Sequence, residues 1–470
     1  MMRHELSRIM QGAIFIDLHV NRERKMNYTI KDILRMEVTP ALGCTEPSAV
    51  ALCAASAASL LPDKNIISIE VWLDPNIYKN AMGVAIPVAG GIYGIDMAAM
   101  LGAFCGDPLL GLEVFRDMDD ESVARAEKFI CDHEVKICLL ENIKRIFIKT
   151  KLISGADIAE AQIEDSHDNI TALRFNGKQI ETHRILSGTR ETYDTVQQME
   201  AWLIKLSLDE IVSLIDELDS DDFEFIREGI RYNTALSEYG LKNGSGLGIG
   251  LTFERLVSEG LLKKDMILAA RILTSAASDA RMSGASMPAM SSAGSGNHGL
   301  TAVLPILAVN KYIARSDETR VLKAIALSHV LTAYIKVHTG RLSAVCGCSI
   351  AAGAGAAGGI TYLMNGTLHH IAGAIKNLIE DLAGVICDGA KAGCSLKLAT
   401  AAGTAVQSAL FALHGIDVKS TDGIIASTPE QTMKNIGELS TCGMIETDRT
   451  ILRIMIRKQF EKFKSAGARS

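Results

Sequence analysis

Four of the ten cysteines in this 470-residue chain lie in segments that suit a ligand better than a core. Cys387 and Cys394 bound the run Cys387-Asp388-Gly389-Ala390-Lys391-Ala392-Gly393-Cys394, which sets two thiols beside a carboxylate and an amine. Cys346 lies in Ser343-Ala344-Val345-Cys346-Gly347-Cys348, at the head of a Gly/Ala-rich stretch. Cys44 lies in Gly43-Cys44-Thr45-Glu46-Pro47, which reads as a helix start. A thiol there feels the positive end of the helix dipole, which favours thiolate, so Cys44 is a candidate ligand, base or nucleophile. Spaced cysteines in a chain without a secretory signal more often bind metal or catalyse than form disulfides. These spacings match neither ferredoxin-type runs nor paired zinc spacings, so any metal centre must be assembled from separate segments. Three thiolates on an iron–sulfur cluster would leave one iron free to act as a Lewis acid. Cys346 and Cys348, two apart on an expected helix, would point to different faces, one as ligand and the other as packing.

Other segments offer polar groups for a small ligand. Ser291-Ser292-Ala293-Gly294-Ser295-Gly296-Asn297-His298-Gly299 is a Gly/Ser loop entering a helix, where free backbone N–H groups suit a carboxylate or phosphate. It lacks the Gly-Lys-Ser/Thr ending of a nucleotide loop. Arg281, in Asp279-Ala280-Arg281, adds a cation. Leu73-Asp74-Pro75-Asn76 with Lys79-Asn80 forms a polar cluster that reads as a turn or a substrate-facing loop.

These groups need a scaffold, and the composition bounds it. A net charge of −7 argues against nucleic acid as the main partner. Low aromatic content (5%) with much Ala and Gly favours closely packed helices over a sheet sandwich. Residues 64–178 alternate with period two at Ile67–Leu73, Val135–Leu140, Arg145–Thr150, Ile158–Ile163 and Ile170–Phe175, as half-buried strands do. Helices are expected within 45–61, 95–101 and 122–132. From about Gln197 the period is helical almost throughout. The expected fold is α+β: a mixed module over 27–196, then a large helical domain over 197–470. Met26-Asn27-Tyr28 would make a natural start, so residues 1–26 are expected outside the fold. The uncharged stretch Leu342 to Ile375 is long enough for a bilayer but too rich in Ala and Gly, so it reads as buried helix. A cytoplasmic protein without membrane or nucleic-acid partner is expected, with a homo-oligomer left open.

Taken together, Thr39-Pro40-Ala41-Leu42-Gly43-Cys44-Thr45-Glu46-Pro47, Ser275-Ala276-Ala277-Ser278-Asp279-Ala280-Arg281-Met282, Gly294-Ser295-Gly296-Asn297 and Cys387-Asp388-Gly389-Ala390 resemble the L-cysteine desulfidase family, over roughly 27–460. The C-terminal half is also similar to iron–sulfur L-serine dehydratases. The resemblance implies an oxygen-sensitive [4Fe-4S] cluster on three cysteines, and breakdown of L-cysteine to pyruvate, ammonia and sulfide. The serine dehydratases imply Cys346, Cys387 and Cys394 as ligands, although the second-to-third spacing is shorter here. The desulfidases make Cys44 a rival third ligand or a base, and Cys348 could replace Cys346. On this reading Cys44, Lys391 or His298 takes the α-proton. Thr45, Glu46, Asn76, Asn80, Arg281, Ser295, Gly296 and Asn297 surround the substrate. The rival readings are L-serine as substrate, a pyridoxal-phosphate lyase using Lys391 or Lys336, and a non-catalytic iron–sulfur sensor.

Overall fold

A computed structural model of the chain describes residues 28–467, apart from 88–90, 134, 142, 144, 187–188, 315–316 and 341–342. The expected extension over 1–26 lies outside the described residues. The fold is α+β. Period-two alternation builds one six-stranded sheet in the order Val135–Leu139, Ile66–Leu73, Phe147–Ser154, Asp157–Glu164, Ile170–Phe175, Lys178–Gln179. The first pair is parallel and the rest antiparallel. Ile69, Val71 and Leu73 point to one face and are fully buried. They pack with the Ala-rich helix Thr45–Ala58 and the helix Ile95–Cys105. Small side chains bring backbones close, which is why so few aromatic residues suffice.

The second core is helical. Glu318–Thr339, Gly353–Leu363, Leu368–Leu382 and Cys394–Leu413 pack around Leu327, Ile350, Ile360 and Ile375, all fully buried. Cys394–Leu413 is long and apolar enough to cross a bilayer, and most of it is buried inside the protein. Of the stretch from Leu342 to Ile375 read as buried helix, 344–363 is largely buried, but an exposed turn around Asn365 and Thr367 splits it into two helices, and it opens differently. Cys346 precedes the helix, next to the Val345–Ile386 bridge, and Cys348 begins a π-helical turn, Cys348–Ala352. Such turns insert a residue into the helix ladder and recur at functional sites.

Segments cross between the two cores. Ile30, Ile33 and Leu34 of the helix Ile30–Glu37 pack in the helical core. Leu452 of the C-terminal helix Ile445–Gly467 packs in the sheet-side core. Two short strands that the sequence pattern does not signal, Pro40–Leu42 and Pro288–Met290, pair antiparallel with Leu42 opposite Pro288. They set Ser291 beside Thr39, and Arg281 links the Gly43 turn to Asn297 of the Ser291–Gly299 loop. The polar cluster after Leu73 is a short helix, Pro75–Ala81, capped by Asp74, whose Oδ1 accepts from the Asn76 and Ile77 N–H groups.

One helix crossing gives a direct test of the packing. Gly240 of the helix Ser220–Asn243 lies on the helix Met266–Met282, and a Cβ there would come within 2.0 Å of the Ala276 carbonyl oxygen. Gly240→Ala should destabilise the protein by about 2 kcal/mol through forced separation of the helices. Denaturant titration of the two proteins reads that loss directly, and equal midpoints would contradict the contact.

Candidate functional site

The site begins at a cation. Arg281, in the last turn of Met266–Met282, is 2% exposed. Its Nη1 donates to Asn297 Oδ1 at 3.1 Å and its Nη2 to the Gly43 carbonyl. Neither partner is a carboxylate, and its Nε is buried with no acceptor among the described residues. A buried charge left so incompletely paired is costly unless something else arrives to meet it. Facing it is the N-terminus of Gly296–Asn310, capped by Ser295 without a side-chain bond. The N–H groups of Gly296, Asn297 and His298 find no backbone acceptor there among the described residues. A guanidinium and a helix N-terminus converge on one buried spot, as anion sites do. Asn297 Nδ2 meets only the weakly accepting Met282 sulfur, at 3.5 Å.

Cys44 stands beside Arg281. It is the N-cap of Thr45–Ala58; Thr45 opens the helix and donates from Oγ1 to Glu46 Oε2 at 3.1 Å. Gly43 makes this turn possible with φ +67°, a conformation that L side chains rarely adopt. Cys44 Sγ donates to the same Glu46 Oε2 at 2.8 Å. Burial and the Glu46 charge push the thiol well above its ordinary range, against the pull of Arg281. The dipole effect expected at this helix start is therefore outweighed by desolvation.

The other thiols converge from three segments. Val345 bridges to Ile386, the Cys346 N–H donates to the Val385 carbonyl at 2.8 Å, and the Cys387 N–H donates to the Ala344 carbonyl at 2.7 Å. This short ladder sets Cys346 beside Cys387. Cys394 is the first residue of Cys394–Leu413. Burial raises its thiol to about 11, with the charges of Cys346 and Cys387 adding to the rise. A hydrogen bond from the Cys348 thiol holds Cys346 well below the ordinary thiol range despite burial, helped by Ser349 and Lys397. Cys346, Cys387 and Cys394 thus lie within one another's field. Cys44 responds chiefly to Glu46 and Arg281, yet it joins Cys394 through a small apolar cluster with Val84, Met282 and Ala390. All four thiols are free. No three His, Cys, Asp or Glu side chains among the described residues are close enough to hold a single metal ion. A four-iron cluster is larger than one ion and takes its thiolates from around its periphery; in donor type and approach from separate segments, these cysteines fit it.

The remaining expected site residues divide. His298, 6% exposed, faces the Ser292 carbonyl through Nδ1 at 3.1 Å, and burial lowers its imidazole to about 3. A Cβ at Gly347 would meet its Nε2, which places the ring against the Cys346–Cys348 turn. Lys391 is engaged by the Asp388 carboxylate and the Gly389 carbonyl. Asn80 is 6% exposed and accepts the Ala390 N–H at 3.1 Å, so it supports the cysteine loop. Asn76 lines a cavity of about 1180 Å³, as do Thr45, Gly294, Lys336 and Ala344. That cavity reaches the Thr45, Gly294 and Ala344 segments, and neither Arg281 nor any of the four thiols lines it. Two neighbours have environments that the sequence does not show: Asp74 reads only as part of a polar cluster, and His329 does not stand out. Asp74, fully buried, has its carboxyl raised to about 6, by burial first and slightly by Glu46. His329 binds Ser292 Oγ through Nδ1 at 3.0 Å, and burial lowers it to about 4. Neither carries a local motif, because burial by distant segments creates both effects.

His329 makes stability depend on pH. Its folded-state value lies below the unfolded one near 6.5, so the unfolded chain takes up the proton first as pH falls. Stability should drop by about 1.4 kcal/mol per pH unit from this group between pH 6.5 and 4. His329→Gln should flatten that slope in thermal unfolding between pH 7 and 5; an identical slope in both proteins would contradict the assignment.

The family model describing serine dehydratase alpha chains matches residues 110–453, a span that includes Arg281, Asn297, His298, Cys346, Cys387 and Cys394. The chain belongs to the serine dehydratase alpha chain family. Its relatives include the protein named "UPF0597 protein" of Desulfatibacillum aliphaticivorans, 56% identical over 93% of this chain and 99% of the relative. A second, from Clostridioides difficile, is 44% identical over 90% of this chain and 98% of its own length. A third, from Shewanella halifaxensis, is 38% identical over 91% and 98% respectively. The serine dehydratase family span begins after the Gly43–Pro47 turn, so Cys44 and Glu46 lie outside it.

Proposed function

We propose that this protein is an amino-acid β-lyase that converts L-cysteine and water to pyruvate, ammonia and hydrogen sulfide. Buried Arg281, without a carboxylate partner and facing a helix N-terminus, is the observation that carries this reading, because it prepares a place for an α-carboxylate. Its Nε and the N–H groups of Gly296, Asn297 and His298 would bind that carboxylate. Asn297 and the Gly43 carbonyl fix the guanidinium plane.

Cys346, Cys387 and Cys394 would hold a [4Fe-4S] cluster. Cys394 is favoured over Cys44 as third ligand because it lies in the field of the other two thiols. When bound, a cluster with an open iron supplies Lewis acidity toward the substrate's carboxylate or β-substituent.

The Cys44–Glu46 pair is the best placed to take the α-proton. Glu46 accepts from the thiol and is the group that would receive its proton; the transfer is uphill because burial and the Glu46 charge hold the thiol protonated, and the thiolate it leaves is correspondingly basic toward the Cα–H bond. Lys391 is occupied by Asp388, and His298 is kept neutral and weakly basic by burial. Departure of hydrosulfide leaves aminoacrylate, which tautomerises and hydrolyses in water. Val84 and Met282, both almost fully buried, keep bulk water from Cys44.

The match to serine dehydratase alpha chains favours a second reading, in which L-serine is the substrate and water leaves. Anaerobic protein assayed with each amino acid, with pyruvate and sulfide both quantified, separates the two. A larger kcat/KM with L-cysteine, with equimolar sulfide and pyruvate, supports the desulfidase. Pyruvate from L-serine alone would replace it with the dehydratase, and no pyruvate from either would sink both.

A further inference from the structure

Lys397 occupies a position that local energetics disfavour. It lies in the opening of the helix Cys394–Leu413, where the dipole repels a cation. The side chain turns back from the helix. Nζ donates to the Ile386 carbonyl at 2.7 Å and pairs with Asp388 Oδ1 at 2.5 Å. These are the two chain neighbours of Cys387. One ammonium, three residues after Cys394, therefore holds both flanks of Cys387. The Asp388 carboxyl, which burial alone would raise, is drawn down to about 2 by Lys391 and Lys397. Lys391 shares the Asp388 oxygen and reaches the Gly389 carbonyl, but does not touch Ile386. Among the described residues, Lys397 alone joins the bridge residue before Cys387, the carboxylate after it and the helix that begins at Cys394.

We infer that Lys397 is a positioning residue that clamps the Cys387–Cys394 loop, fixing the two thiols relative to each other before and during metal binding. The inference rests on reading Cys387 and Cys394 as cluster ligands, and it deepens that reading. Between them lie Asp388, Gly389 and the short Ala390-Lys391-Ala392-Gly393 link; Asn80 and the Cys44–Val84 packing hold its Ala390 end, and Lys397 holds its Cys387 end to the helix that begins at Cys394. The Lys397 ammonium also lies close enough to Cys346 and Cys387 to interact with both.

The test compares wild type, Lys397→Met and Lys397→Arg as full-length chains. Hydrogen–deuterium exchange of residues 386–394 is measured on metal-free protein. Iron retention is then measured in air after anaerobic loading with iron and sulfide. Losing charge-assisted bonds to two groups should speed exchange of the loop about tenfold or more in the Met variant, with other peptides unchanged. Its iron should also be lost several-fold faster than from wild type, with partial rescue by Arg. Wild-type exchange rates in Lys397→Met would overturn the clamp whether or not iron binds. Faster exchange with unchanged iron retention would overturn the positioning role. Wild-type protein that takes up no iron would sink the ligand reading itself, and Lys397's role toward a cluster with it; the exchange data would still report separately on the loop.

Discussion

Cys387→Ala should give a protein that folds, retains no cluster iron and forms no pyruvate from either amino acid. Cys387 is only partly buried, and its backbone bond to Ala344 survives the substitution, so folding should be little affected. Lewis-acid stabilisation is worth several kcal/mol, so its loss should lower kcat/KM by at least about a thousandfold. Iron and acid-labile sulfide are assayed beside activity and a thermal unfolding curve. A fully active, iron-free Cys387→Ala protein would refute the ligand assignment. Cys348→Ala is the informative companion: it should keep iron if Cys346 is the ligand, and lose it if Cys348 has taken that place.

The second large effect is expected at Arg281. Lysine keeps the charge but offers one point donor where the guanidinium spans Asn297, Gly43 and the ligand. Arg281→Lys should lower kcat/KM by roughly a hundredfold through lost charge-assisted bonds, chiefly as a raised KM. L-Cysteinamide supplies the control, because it lacks the carboxylate. Wild type should discriminate strongly against the amide, and Arg281→Lys should discriminate much less. Equal discrimination by both proteins would place the carboxylate elsewhere.

Much of the scaffold was legible from local pattern. Ile66–Leu73 and Asp157–Glu164 alternate with period two, and the helix Leu208–Ile215 buries Leu208, Ile211 and Ile215 on one face, so each of these elements reports its own type. The strands Pro40–Leu42 and Pro288–Met290 did not. Three residues cannot establish a period, and what makes them strands is each other, across most of the chain. The π-turn at Cys348 was hidden for the same reason, since the Val345–Ile386 bridge holds Cys346 out of the helix. At the site, residue types announced the cysteines and the Gly/Ser loop. What they could not announce was environment. A helix start suggests a lowered pKa for Cys44, whereas burial and Glu46 raise it. Asn80 reads as a substrate-facing amide, whereas its side chain holds the Ala390 N–H. Lys397 left one usable clue, a cation in the opening of a helix, which has to find an acceptor somewhere.

The most direct measurement of the central claim is Mössbauer spectroscopy of anaerobically purified, isotopically iron-enriched protein, recorded with and without L-cysteine and L-serine. The account predicts a four-iron cluster with one distinct iron, whose signal shifts when the substrate is added while the other three stay as they were. Protein without a cluster, or a cluster whose spectrum ignores both amino acids, would contradict it.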